Sequence, residues 1–245
     1  MKLHVRSTDW AEHVAEAVIA RLRARPELKL CLPTGLTPVP VYQRLAAAVG
    51  ARRVSFRSAE VVLLDEFGGV SADDPGRCDR MLERDLLAHI DLPAERFHRF
   101  DLTGDLEAAC AAQERAVGDG CDLALLGLGT NGHIGMNEPG SATDSLTRRV
   151  ELAPETIAAS QRYFGHDRLP TWGVTMGIGT LRRSREIWLL ATGPVKAAVV
   201  RDTLLAPISA EKPSTLLRDH PCALLVVDNE AAELLPVTGS GQPAL

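Results

Sequence analysis

Nowhere along its 245 residues does the chain hold an apolar run approaching the ~18 residues that a membrane-spanning helix requires. The opening stretch, MKLHVRSTDWAEHVAEAVIARLRARPELKLC, mixes charges into every turn and has no uninterrupted apolar segment, so no signal peptide is read there. A membrane partner is therefore not expected. Nor is there a basic excess. The 27 Lys and Arg against 32 Asp and Glu leave a net charge of −5, which argues against a nucleic-acid or anionic-membrane partner. The five cysteines, Cys31, Cys78, Cys110, Cys121 and Cys222, are odd in number, widely spaced and never in a C-x-x-C pair. That speaks against a disulfide framework or a zinc site and fits reduced thiols in a cytoplasm. Internal repeats, low-complexity tracts and linkers are missing as well.

What is present is an alternation. Short apolar runs, LKLCL (28–32), VVLLDEF (61–67), DLALLGLG (122–129), IWLLATG (187–193) and ALLVVD (223–228), are interleaved with helical patterns. Those patterns are VPVYQRLAAAV (39–49), RMLERDLLAHI (80–90), LEAACAAQERAV (106–117), VKAAVVRDTLL (195–205) and NEAAELL after the last run. The apolar runs are continuous, as expected of strands covered on both faces in a mostly parallel sheet. The sequence thus predicts a doubly wound α/β domain with helices on both faces, over residues 1–235, followed by a loose Gly-, Pro- and Ser-rich tail at 236–245.

In such folds ligands bind beyond the carboxyl ends of the strands. Four strand-end loops therefore carry the search. PTGLTP (33–38) offers Thr34, Gly35 and Thr37 at a helix N-terminus, which suits an anion such as phosphate or is an ordinary capped turn. It lacks the G-K-[ST] ending of a P-loop. LLDEFGG (63–69) sets Asp65 and Glu66 directly after apolar residues, as a rim acid, a cap, or a half-desolvated general base. LGLGTNGHIGMNEPGS (126–141) places His133 among glycines, with Asn131 and Glu138 able to fix its tautomer. One His and one Glu without a third ligand do not make a zinc site, so no metal is expected. ATGPVKAAVV (191–200) puts Lys196 in a first helical turn, where a cation makes better sense if an anion shares the site. Arg162, in SQRYF (160–164), is an anion clamp or a surface arginine.

Together, LPTGLTP, LLDEF, LGLGTNGHIGMNEPGS, SQRYF, GVTMGIGTL, ATGPVKA and LRDHPCALLVVD resemble the glucosamine-6-phosphate deaminase (isomerase) family, within the larger group that also holds 6-phosphogluconolactonases. The resemblance spans residues 5–235, and G-H-I followed by N-E-P is its most specific block. The lactonase branch typically reads G-P-D-G-H-T and lacks N-E-P. The resemblance implies a Rossmann-like sugar-phosphate isomerase fold and a small-molecule sugar-phosphate partner. It implies no cofactor, because the substrate amine is itself the leaving group.

By position, Asp65 matches the base that moves a proton between C2 and C1, and His133 the histidine that helps open the sugar ring. Asn131 and Glu138 match its orienting residues. Thr34, Gly35, Thr37, Arg162 and Lys196 match the phosphate site. The expected reaction is D-glucosamine 6-phosphate and water to D-fructose 6-phosphate and ammonia. The galacto epimer, a lactonase and a sugar-phosphate sensor are the alternatives.

The chain departs from the family pattern at several positions. Asn131 stands where many members have Asp. Phe67 stands where Tyr is common. Arg77 and Cys78 replace a Ser-Tyr pair and are expected to alter a wall near the sugar. Basic residues shortly after N-E-P bind an acetylated effector in hexameric members. Here Arg148 and Arg149 are present, but Glu151 occupies the expected lysine position. Hyperbolic kinetics are therefore expected, while the oligomeric state is left open.

Overall fold

Alternation of residues along each strand decides how the core is divided. In the structure, a computed structural model that describes residues 1–165 and 169–236, Leu30 and Leu32 face one core while Cys31 faces a second on the opposite side of the sheet. The same split separates Leu123 and Leu125 from Ala124 and Leu126, and Leu224 and Val226 from Leu225 and Val227. Both faces of the strands are buried, which is why their sequences run apolar without interruption.

The strands are β1 (Lys2–Val5), β2 (Lys29–Leu32), β3 (Glu60–Leu63), β4 (Asp65–Phe67), β5 (Phe97–His98), β6 (Leu123–Gly127), β7 (Arg148–Glu151), β8 (Trp172–Thr175), β9 (Glu186–Ala191) and β10 (Ala223–Val227). The helices are α1 (Trp10–Ala24), α2 (Val39–Gly50), α3 (Cys78–Asp85), α4 (Leu106–Val117), α5 (Pro154–Ser160), α6 (Ile178–Arg182) and α7 (Ala197–Leu205). Among the described residues, seven strands form a parallel sheet in the order β1-β10-β9-β6-β2-β3-β5. Helices α1, α2 and α3 pack their apolar stripes on one face (Val14, Val18, Leu45, Met81), and α4, α6 and α7 on the other (Val117, Ile178, Val200). This is the doubly wound arrangement expected. No described helix is long and apolar enough to cross a membrane.

Three features differ from the sequence reading. The run VVLLDEF is not one strand. It breaks at Leu64, and Asp65–Phe67 joins β8 and β7 in a separate three-stranded antiparallel sheet. Gln113 of α4 donates to the Leu63 carbonyl at 2.6 Å, so the end of β3 is satisfied by a buried side chain rather than by further pairing. The segment NEAAELL forms turns instead of a helix. Asp228 accepts the Ala231 N–H at 2.8 Å, and the short segment buries Ala231, Ala232 and Leu235. Lys196 closes a single 3-10 turn, Pro194–Lys196, that precedes α7. Residues 237–245, nearly all of the segment read as a loose tail, lie outside the described residues.

Candidate active site

β2 and β6 are neighbours, yet the strands continue from them in opposite directions: β3 and β5 to one side, β9, β10 and β1 to the other. Loops leaving such a pair diverge and leave a crevice between them. Here the crevice is a cleft of about 250 Å³, lined by Thr34, Gly35, Thr37, Asp65, His133, Arg162 and Lys196. Seven of the nine residues singled out from the sequence therefore meet in one place. Asn131 and Glu138 stand behind the histidine.

Asp65 lies at the floor because the chain turns at Leu64 out of the main sheet. The residue is 7% exposed, and burial pushes its pKa up from an ordinary 3.8 to about 7, against the opposing effect of a hydrogen bond from the Cys78 thiol. The adjacent Glu66 points away from the cleft. It accepts the N–H groups of Phe67, Cys78 and Asp79 at 2.8, 2.9 and 3.0 Å and so fixes the start of α3 beside the aspartate. Cys78 lines the cleft, and its thiol also contacts Thr34.

Arg77 does not alter the cleft wall, contrary to the sequence expectation. It is buried, with Nε 2.9 Å from Asp79 Oδ1 and Nη2 3.3 Å from Glu66 Oε2, because two buried carboxylates draw it inward. Phe67 is in the cleft lining, and its ring meets Phe164 edge-on at 5.3 Å.

His133 is held from behind by its own loop. The Asn131 side chain accepts the His133 N–H at 3.0 Å and donates to Glu138 Oε2 at 3.1 Å. Glu138 Oε1 accepts the Ala153 N–H at 3.3 Å. The Asn137 amide donates to the carbonyls of Ile134 and Met176 at 2.9 and 2.8 Å, which pins the N-E-P turn. His133 Nδ1 lies 3.6 Å from Glu138 Oε2, an electrostatic separation rather than a hydrogen bond, and 3.3 Å from the Thr156 hydroxyl. Thr156 thus supplies the nearer partner. Below the ring is Gly129, where a Cβ would come within 2.3 Å of imidazole atoms, so only glycine leaves room for the histidine. Burial lowers the His133 pKa, Glu138 opposes that and Lys196 adds to it, so the ring is neutral at pH 7.

At the other end, Lys196 donates to the Leu128 carbonyl at 2.6 Å, and its pKa is lowered by burial and by the nearby Arg162 cation. Two cations thus line the same cleft as the 33–37 loop, an arrangement whose chemistry suits an anion. The sequence reading missed Thr156 and Tyr163 in this lining. Tyr163 lies within SQRYF, where only Arg162 was singled out, and Thr156 is an ordinary residue of a seven-residue helix. Among the described residues no three His, Cys, Asp or Glu side chains gather as a metal-holding group.

The two arginines after the N-E-P turn are already occupied. Arg148 donates to Asn137 Oδ1 at 2.9 Å and Ser141 Oγ at 3.1 Å. Arg149 pairs with Glu151 at 2.6 Å and lies 4.9 Å above the Trp172 ring. Both guanidinium groups therefore already have partners within the protein.

The family of glucosamine-6-phosphate isomerases and 6-phosphogluconolactonases matches residues 4–228. The chain belongs to that family. Within it, the chain is 40% identical over 226 residues to a protein of Rhodopirellula baltica named glucosamine-6-phosphate deaminase, covering 91% of this chain and 90% of the relative. It is 40% identical over 229 residues to a Streptomyces coelicolor protein of the same name, covering 91% and 88%. A solved monomeric glucosamine-6-phosphate deaminase superimposes with a TM-score of 0.92 at 35% identity, covering 96% of this chain and all of that one. A 6-phosphogluconolactonase from Thermotoga maritima superimposes at 0.75 with 21% identity, a likeness of fold alone.

Proposed function

We propose that this family member converts D-glucosamine 6-phosphate and water to D-fructose 6-phosphate and ammonia. The observation that carries this reading is the pairing, in one cleft, of a buried carboxyl with pKa about 7 and a neutral, oriented histidine, beside a cationic corner. The curated relatives at 40% identity carry the name of this activity.

The sugar enters as a closed ring with its phosphate on the N–H groups of the 33–37 loop, Lys196 and Arg162. The Glu138 charge favours the proton on Nδ1 of His133, which leaves Nε2 as the acceptor. Nε2 takes the proton of the C1 hydroxyl and returns it to the ring oxygen, opening the ring. Ionised Asp65 then removes the C2 proton from the open aldehyde while the substrate's ammonium group gives up a proton and O1 gains one, giving an enol-amine. The protonated Asp65 returns its proton at C1, giving the iminium at C2. Water adds to the iminium carbon and the nitrogen leaves as ammonium, so the atoms and protons of substrate and water are all accounted for. A carboxyl with pKa about 7 is half ionised at neutral pH, close to the optimum for a group that must both take and give a proton. The remote phosphate contributes binding energy that places C1 and C2 over the carboxylate.

The test is incubation of the purified chain with D-glucosamine 6-phosphate and quantification of both products. Ammonia and D-fructose 6-phosphate forming in equal amounts supports the reading. Hydrolysis of 6-phosphogluconolactone with no ammonia from the amino sugar would overturn it.

A further inference from the structure

The chain contains two tyrosines, and both stand against the 33–37 loop. Tyr42 is fully buried beneath it and donates its hydroxyl to the Pro33 carbonyl at 2.5 Å. Tyr163 approaches from the cleft side. Its hydroxyl lies 2.9 Å from where a Cβ would sit at Gly35, whose φ of +94° already demands glycine. Any side chain at position 35 would expel that hydroxyl.

The ring of Tyr163 is held in place. Its N–H donates to the Ser160 carbonyl at 2.8 Å. Its own carbonyl is packed so closely on Gly76 that a Cβ there would come within 2.7 Å. The next residue, Phe164, is wedged against Phe67. Yet among the described residues nothing hydrogen-bonds the Tyr163 hydroxyl, although the side chain is half-buried and lines the cleft between Gly35 and Arg162. Several neighbouring groups are already bonded within the protein: Tyr42 to Pro33, Lys196 to Leu128 and the Arg162 Nε to Ala159. A fixed, half-buried donor without a hydrogen-bond partner among the described residues, its ring 5.8 Å from the Arg162 guanidinium, is prepared for an anionic acceptor.

We propose that Tyr163 is a substrate-binding residue whose hydroxyl donates a hydrogen bond to the phosphate held on the 33–37 loop, so that it reads the presence of that phosphate. Burial raises the phenol pKa, so the group remains a donor throughout the neutral range. The identity of the sugar rests on the deaminase reading. The phosphate contact does not.

The experiment is Tyr163→Phe, which keeps the ring and removes one oxygen. A hydrogen bond to a charged acceptor is worth about tenfold or more in affinity. The KM for D-glucosamine 6-phosphate and the competitive inhibition constant of inorganic phosphate should both rise about tenfold. The kcat should change by less than about threefold, and kcat/KM for unphosphorylated glucosamine should not change, as expected for lost uniform binding. An unchanged phosphate inhibition constant overturns the proposal. So does an equal loss on glucosamine, which would place the contact on the sugar, or a kcat loss at constant KM, which would place it in the chemistry.

A second measurement needs no variant. Wild-type protein labelled with 3-fluorotyrosine has two 19F resonances, and inorganic phosphate should shift the Tyr163 signal while leaving that of Tyr42 in place. No shift at saturating phosphate contradicts the proposal. If phosphate shifts the resonance but no ammonia is released from the amino sugar, the deaminase reading fails and the phosphate contact stands.

Discussion

Replacing Asp65 by Asn should slow turnover by on the order of 10²-fold or more and, at the same time, make the protein more stable at alkaline pH. The carboxyl is buried in a cleft floor between Cys78 and the end of the main sheet, and its pKa rises from 3.8 to about 7 on folding. The sign follows from proton counting. Between these two values the folded state keeps a proton that the unfolded chain has released. Stability therefore falls as pH rises through that window. Above pH 7 the ionised carboxylate costs the fold up to about 4 kcal/mol, at about 1.4 kcal/mol per pH unit of displacement.

Asparagine has nearly the same shape and no charge to desolvate. Wild type and Asp65→Asn should thus have similar stability at pH 4. At pH 8 the variant should exceed wild type by up to about 4 kcal/mol, a melting temperature higher by on the order of 10 °C for a chain of this size. The assay is thermal or urea unfolding of both proteins at several pH values, with no ligand present. Other groups titrate in the same range but cancel in the comparison, except those facing the carboxyl: the thiols of Cys31 and Cys78 and the phenols of Tyr42 and Tyr163, all pushed up by burial and neutral throughout. A stability difference that is the same at pH 4 and pH 8 would refute the reasoning, because it would mean that the carboxyl is not held in a desolvated site.

Three further outcomes are expected. Gly129→Ala places a methyl group where the His133 ring lies, forcing a displacement of about 1 Å, so kcat should fall on the order of 10²-fold with folding intact by circular dichroism; a kcat within threefold of wild type would show that the ring position is unimportant. Arg162→Ala and Lys196→Ala should each raise KM, and together they should erase the preference for phosphorylated over unphosphorylated sugar, measured as a ratio of kcat/KM values. Because Arg148 is committed to Asn137 and Ser141, and Arg149 to Glu151, substrate saturation should be hyperbolic and unchanged by millimolar N-acetylglucosamine 6-phosphate; a sigmoidal curve that the effector straightens would contradict this.

The sheet was readable in the sequence because buried parallel strands leave runs such as LALL and LLVV, and the site was readable because ligands gather at the ends of those runs. What stayed hidden depended on contacts between distant segments. The break at Leu64 is made by Gln113, 49 residues further on, and nothing in VVLLDEF announces it. Arg77 was read into the cleft wall because it neighbours Cys78, but tertiary attraction to Glu66 and Asp79 turned it inward. Thr156 and Tyr163 come from α5 and the turn after it, a stretch whose seven-residue helix has no strong periodicity and whose place over the cleft is set by packing of Phe164 on Phe67. Glu138 was legible as the partner of His133, whereas the intervening roles of Asn131 and Thr156 depend on ångström-scale geometry.

The central claim is that Asp65 moves a proton from C2 to C1 of an amino sugar phosphate. It is tested most directly with D-glucosamine 6-phosphate deuterated at C2, turned over by wild type and by Asp65→Asn. The account predicts fructose 6-phosphate from the wild type, with the label carried to C1 or released to water. It also predicts that Asp65→Asn is slower by on the order of 10²-fold or more while still binding the substrate. Because C2 of the ketose carries no hydrogen, the label must leave that carbon in any such turnover, and turnover by Asp65→Asn at the wild-type rate would contradict the account.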